Sequence, residues 1–113
     1  MKRISTHILD LSRGRPANDV PVRLEKQDAA GDWRSHGAAR TDADGRCNQL
    51  LAQDDLPSGV YRLVFDTAGY FAAAKIDSLY PVVEVTFRVR DGESHFHIPL
   101  LLSANGYTTY RGT

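Results

Sequence analysis

Hydrophobic and polar residues alternate along most of this chain in short runs, and Gly, Pro, Asn or Asp closes nearly every run. Successive side chains of a strand point to opposite faces of a sheet, so a period of two predicts half-buried β-strands. The runs are "ISTHILD" (4–10), "VPVRLEK" (20–26), "WRSHGAAR" (33–40), "RCNQL" (46–50), "GVYRLVFD" (59–66), "YPVVEVTFRVR" (80–90), "HFHIPLLL" (95–102) and "YTTYRG" (107–112). Between them stand the loop "SRGRPANDVP" and tight turns such as "TDADGR", whose Asp44-Gly45 pair is a hairpin signal. "TAGYFAAAK" (67–75) breaks the alternation. It is alanine-rich, and alanine is the best helix former, so a short helix is expected there. Eight strands and one short helix in a single domain, 1–113, predict an all-β sandwich or barrel.

The same alternation assigns faces. Ile4, Thr6 and Ile8, Val20, Val22 and Leu24, Tyr61, Leu63 and Phe65, and Phe96, Ile98, Leu100 and Leu102 are expected to face the core, as are Val83, Val85, Phe87 and Val89. The opposite face of the first strand then holds Ser5, His7 and Leu9. In "HFHIPLLL" it holds His95, His97, Pro99 and Leu101. Near the C-terminus Thr108 and Tyr110 share one face, and Thr109 and Arg111 the other. The outer face of a sandwich is ordinarily polar. Leu9, Pro99, Leu101 and Tyr110 on one sheet instead predict a covered surface, most simply another subunit. Three of the four histidines, His7, His95 and His97, fall at this face, while His36 lies in a polar strand and is expected to be solvated. Imidazole suits proton transfer near neutral pH, so histidines ringed by leucines form a candidate catalytic constellation.

Composition removes several function classes. A chain of 113 residues builds one core. Lys and Arg number 14 against 14 for Asp and Glu, so no basic excess points to nucleic acid. No apolar run approaches the roughly 20 residues of a membrane helix. "MKRISTHILD" lacks the apolar stretch of a secretory signal, and Cys47 has no intrachain disulfide partner, so a cytoplasmic setting is expected. Gly-x-Ser-x-Gly elbows, Gly-rich phosphate loops and paired-cysteine zinc spacings are absent. His95-Phe96-His97 aims two imidazoles one way, and His7 could add a third metal ligand. Any two histidines at i and i+2 satisfy that spacing, and no carboxylate or Cys joins them in phase. Spacing alone leaves open both a metal site and a metal-free acid–base pair. Cys47 is expected to pack rather than to attack.

Five segments, "STHILDLSRGRPA", "TDADGRC", "LPSGVYRLVFDTAGYF", "YPVVEVTF" and "HFHIPLLLSANGYTTYRGT", together resemble the 5-hydroxyisourate hydrolases, the enzyme branch of the transthyretin fold. The resemblance spans nearly the whole chain. Its most specific part is the end, where the family signature is Tyr-Arg-Gly-Ser. The resemblance implies a transthyretin-like sandwich of two four-stranded sheets with one short helix. It matches His7, Arg46 and His97 to the family's catalytic residues. It matches Tyr110, Arg111, Gly112 and Thr113 to the terminal tetrapeptide, which with Thr108 and Leu101 would line the substrate pocket. His95, one strand step from His97, would support it. These groups would meet at the dimer–dimer interface of a homotetramer, without metal or cofactor.

There are departures. Thr113 and Thr108 stand where the family has Ser, Phe96 where it has Tyr, and "SANG" where Ser-Pro is common. Thr113 keeps the hydroxyl and adds a methyl. Phe96 points coreward by parity, away from the chemistry. The implied reaction is hydrolysis of the cyclic amide of 5-hydroxyisourate to 2-oxo-4-hydroxy-4-carboxy-5-ureidoimidazoline, a step of urate degradation. His7 and His97 would share the proton transfers, and Arg46 would face the oxyanion or the substrate's polar edge. An alternative is a transthyretin-like protein that binds a small ligand without turnover; hormone-binding members lack the two histidines, the arginine and the Tyr-Arg-Gly-Ser-like end. A generic sandwich module would fit "LPSGVYRLVFDTAGY" but has no reason to hold His7, Arg46 and His97 together.

Overall fold

The computed structural model describes residues 3–48, 50 and 56–113. Its elements are β1 (Arg3–Asp10), β2 (Arg15–Pro16), β3 (Pro21–Gln27), β4 (Trp33–Arg40), β5 (Arg46–Cys47), β6 (Gly59–Phe65), α1 (Thr67–Ala73), β7 (Val83–Val89), β8 (His95–Ser103) and β9 (Gly106–Thr109). One sheet runs β4-β3-β6-β7. The other runs β2-β1-β8-β9, with β5 also on β1. The expected four-plus-four arrangement is therefore a five-plus-four one. The extra piece lies in the segment expected to be loop: after β1 the chain folds back and pairs Leu9 with Pro16 and Asp10 with Arg15. The expected strand 46–50 stops at Cys47, and Gln49 lies outside the described residues. Among the described residues no helix is long and apolar enough to cross a membrane.

The core lies between the sheets. Ile4, Ile8, Phe96, Ile98, Leu100 and Leu102 of one sheet pack in a single cluster with Val22, Leu24, Tyr61, Leu63, Phe65 and Val83 of the other. Each such side chain contributes about 1.5–3 kcal/mol by leaving water. Cys47 belongs to this cluster. Burial, reinforced by Asp42, pushes its thiol up to about 11, so it stays protonated at neutral pH and packs. His36 departs from its expected solvation. Leu24 pairs with Gly37 but Glu25 with Ser35, so His36 is the extra residue of a β-bulge. It is half-buried, edge-on to the Tyr61 ring at 5.5 Å, and burial, then Lys26, lowers its pKa.

The helix is tied to the end of β1. Asp66 caps its N-terminus and Phe71 is buried beneath it; just past the Ala74 cap, Lys75 takes a left-handed φ of 59°. Tyr70 Oη donates to Asp10 Oδ2 at 2.6 Å, and Asp10 Oδ1 accepts the amides of Ser12 at 3.0 Å and Arg13 at 3.2 Å. Asp10 is 1% exposed, so these donors replace its hydration. They hold the turn that returns the chain to β2.

The C-terminal strand is shorter than expected for a physical reason. β9 pairs with β8 up to Leu100↔Thr109, and a bridge in the same register reappears at His97↔Gly112. Between them lies Pro99, which has no N–H to donate to the ladder.

Removing the phenol donor tests the helix tie. Tyr70→Phe is expected to lower unfolding stability by about 1–3 kcal/mol, read from urea denaturation, with the far-UV circular dichroism unchanged. An unchanged midpoint would mean that water replaces the donor.

Candidate active site

The outer face of the five-stranded sheet is laid out in rows by register. β1 and β8 run parallel, with Ser5 beside His97 and His7 beside Pro99. β5 lies on the other edge of β1, with Arg46 beside His7. Paired residues share a face, so one row reads Arg46, His7, Pro99 and the next reads Ser5, His97, Gly112. His7, Arg46 and His97 are thus brought together from three separate parts of the chain.

Arg46 owes its place to the turn before it. The Asp42 carboxylate accepts the amides of Asp44 at 2.9 Å and Arg46 at 3.0 Å, and the Asp42 amide donates to the Arg46 carbonyl at 3.0 Å. Gly45 has a φ of 75°, and a Cβ there would stand 2.4 Å from the Ile8 carbonyl oxygen. Glycine is therefore what lets the turn dock against β1, where the Ile8 amide donates to the Gly45 carbonyl at 2.8 Å. Arg46 has no ion-pair partner among the described residues.

The histidines are held by their ring nitrogens. His7 Nε2 lies 2.8 Å from the Asp44 carbonyl oxygen. A carbonyl can only accept, so this nitrogen carries the proton and Nδ1 is the acceptor of the neutral ring. His97 Nδ1 lies 2.8 Å from Ser5 Oγ, and the same hydroxyl lies 3.3 Å from His95 Nε2. The His95 and His97 rings are stacked, with centroids 6.2 Å apart. Burial lowers the His97 pKa, and the neighbouring charges of His95, Arg46 and His7 lower it further. A neutral imidazole at physiological pH is the result. Ser5 was placed on this face by alternation but not singled out; parity gives the face, and only the register puts its hydroxyl between the two rings.

The tail closes one side. The Gly112 amide donates to the His97 carbonyl at 2.8 Å, and a Cβ at Gly112 would stand 2.6 Å from His97 Cδ2. Pro99, placed by alternation on an outer face expected to be covered by another subunit, is buried within the chain itself, with its ring against Gly112. Thr108 lies beside Leu101 on the histidine face, and Leu101 is half-buried. Tyr110 is 55% exposed. Thr113 is exposed at the chain end. Arg111 turns elsewhere: it pairs with Glu93 at 2.8 Å, donates to the His95 carbonyl at 3.1 Å, and lies 5.0 Å over the Phe96 ring. Its contacts clamp the tail to the start of β8.

The site is an open sheet face. A groove of about 650 Å³ elsewhere, between the β1–β2 turn and α1, is lined by Arg13, Arg15, Arg40, Asp66 and Tyr70 and contains none of the histidines. Among the described residues no three His, Cys, Asp or Glu side chains are grouped to hold a metal ion.

The HIUase/Transthyretin family matches residues 4–112. The chain belongs to that family. It is 42% identical over 112 residues to a probable 5-hydroxyisourate hydrolase of Caenorhabditis elegans, a match covering 97% of this chain and 81% of that one. The solved structure of Klebsiella pneumoniae 5-hydroxyisourate hydrolase superposes with a TM-score of 0.87 at 37% identity, covering all of both chains. Sea bream transthyretin, solved in complex with thyroxine, superposes with a TM-score of 0.91 at 33% identity, covering 97% of this chain and 94% of that one. Backbone shape alone does not distinguish the 5-hydroxyisourate hydrolase from the thyroxine-bound transthyretin.

Gly112→Ala is expected to displace the His97 imidazole and leave the sheet intact. The His97 ring resonances should move in NMR spectra while far-UV circular dichroism does not. Unmoved resonances would mean that the tail, not the ring, gives way.

Proposed function

We propose that this protein hydrolyses 5-hydroxyisourate, opening its ring by acid–base catalysis on the face that carries His7, Arg46 and His97. The observation that carries the reading is the adjacency of the Arg46–His7 row to the Ser5–His97 row in a chain closely similar to 5-hydroxyisourate hydrolases. Water is a weak nucleophile and must lose a proton as it attacks. A positioned imidazole contributes roughly 10²–10⁴ in rate to such a step. Neutral His97, its Nδ1 engaged by Ser5, offers Nε2 for this proton. His7, protonated on Nε2 by its contact with Asp44, offers Nδ1 to orient the water or the substrate. The carbonyl oxygen gains negative charge at the tetrahedral stage, and Arg46, without an ion-pair partner among the described residues, supplies fixed positive charge to meet it. The proton held by His97 then goes to the departing ring nitrogen.

An open face gives water-excluded chemistry only when something covers it. Half-buried Leu9 and Leu101 and exposed Tyr110 on that face support closure by another copy of the chain in a homotetramer built as a dimer of dimers. Tyr110, Thr108 and Thr113 would then shape the pocket wall, with Gly112 setting the His97 ring. An unpaired Cys47 fits a cytoplasmic setting. The transthyretin-type binding reading is less favoured, because it leaves the two oriented imidazoles and the unpaired Arg46 without a task.

The experiment is spectroscopic. Urate oxidase generates 5-hydroxyisourate in the cuvette, and the protein should speed its disappearance. Absence of acceleration would overturn the reading. His97→Asn should lower kcat by roughly 10²–10⁴.

pH gives a second test. The folded His97 pKa lies below its ordinary 6.5. Activity should therefore persist through pH 6.5 and fall as pH drops through the lowered folded value, when the ring takes a proton. Stability should start to decline once pH drops below 6.5, where the unfolded chain binds more protons than the folded one, and level off below the folded value. An acid limb at or above 6.5 would contradict a neutral, buried base.

A further inference from the structure

His95, Ser5 and His97 form a continuous hydrogen-bonded chain. Ser5 Oγ lies 2.8 Å from His97 Nδ1 and 3.3 Å from His95 Nε2. Ser5 is 9% exposed, so its hydroxyl has little access to competing water. A serine hydroxyl has one proton to donate and lone pairs to accept with. Between two ring nitrogens it can donate to one while accepting from the other, and the two arrangements interconvert by moving protons along the chain. The position follows from register: Ser5 pairs with His97 and stands diagonal to His95, whose own partner is Arg3.

We propose that Ser5 is a positioning residue that relays a proton between His97 and His95, so that the charge created when His97 acts as a base is delivered to the rim of the site. The proposal rests on the reading of His97 as general base. In the resting state His97 Nδ1–H donates to Ser5 Oγ, Ser5 donates to His95 Nε2, and His95 carries its own proton on Nδ1. As water attacks the substrate carbonyl, its oxygen–hydrogen bond breaks and the proton joins His97 Nε2. The Nδ1 proton of His97 passes to Ser5 Oγ, and the Ser5 proton passes to His95 Nε2. His97 ends neutral and His95 ends as the imidazolium. The reverse relay returns the proton when the ring nitrogen leaves: His97 Nε2 gives its proton to that nitrogen, and His95 restores the chain through Ser5. No proton is gained or lost over the cycle beyond those of the water and the product.

The environment of the two rings fits this direction. His97 is half-buried and faces His7, Arg46 and His95, so a lasting positive charge there meets both desolvation and like charge. His95 is exposed, so water can hydrate its charge and screen it from Arg3, its strand neighbour, and from the Glu93-paired Arg111. The arrangement gives His97 the capacity of a base without the cost of remaining charged.

The test compares Ser5→Ala, Ser5→Thr, His95→Asn and the double variant S5A/H95N in the full chain, with 5-hydroxyisourate generated in place. Ser5→Ala should lower kcat roughly tenfold or more while changing KM little. Ser5→Thr should restore most of it, since threonine keeps the hydroxyl and suits a strand. The double variant should lose no more than the larger single loss, because both substitutions break one chain. In mixtures of light and heavy water the unaltered protein should show a curved proton inventory, with more than one proton in flight, and Ser5→Ala a linear one. ¹⁵N spectra of the unaltered protein should show His97 protonated on Nδ1 and His95 on its Nδ1, a readout that does not depend on any variant folding. Wild-type kcat and an unchanged inventory in Ser5→Ala would overturn the relay, as would equal losses in the Ala and Thr variants. Those results with an inactive His97→Asn leave the base assignment standing; an active His97→Asn would remove the base assignment itself.

Discussion

Eight residue pairs hold β1 parallel to β8, from Arg3↔His95 to Asp10↔Leu102. Thr6 Oγ1 pins the pairing with a buried hydrogen bond to the Ile98 carbonyl at 2.6 Å. Slipping one strand by a single residue would exchange its faces, sending Ile4 and Ile8 to solvent and Ser5 and His7 into the core. The hydrophobic demand of the core therefore fixes the register, and the register fixes which polar groups meet outside. Core packing and site geometry are two sides of one pairing.

The electrostatics of the face follow from what surrounds that pairing. The Asp42 carboxylate, four residues before Arg46, is spent on backbone amides of its own turn. Arg46 is left with no ion-pair partner among the described residues, and His97 beside it meets burial and the like charges of His95, Arg46 and His7. A site of this kind holds a neutral base, His97, next to a fixed positive charge. That suits a reaction in which negative charge grows on a carbonyl oxygen while a proton must be taken from water.

Alternation along the chain was enough to place His7, His95, His97, Leu101 and Thr108 on one face, because the period of a strand is local. It could not say which residues lie side by side, because register is decided by contacts between distant segments. Hence Ser5 stayed inconspicuous in the sequence although its hydroxyl holds both rings. Parity likewise could not anticipate the bulge that buries His36 against Tyr61, the two-residue strand at Arg15–Pro16, or the burial of Pro99 by Gly112. Arg111 agrees with alternation, which sets it on the face opposite Thr108 and Tyr110: Glu93 and the Phe96 ring hold its side chain at the start of β8, away from the pocket that the resemblance implies for it.

The two sheets differ in how far apart along the chain their partners lie. β3 and β4 form a hairpin, and β6 reaches β7 through one short helix. Ser5 and His97 are separated by 92 positions. Closing so long a loop costs conformational entropy before its contacts can repay it, and nonlocal pairing slows folding. The site-bearing sheet therefore carries the larger loop-closure cost, and its rows exist only once segments from opposite ends of the sequence have met.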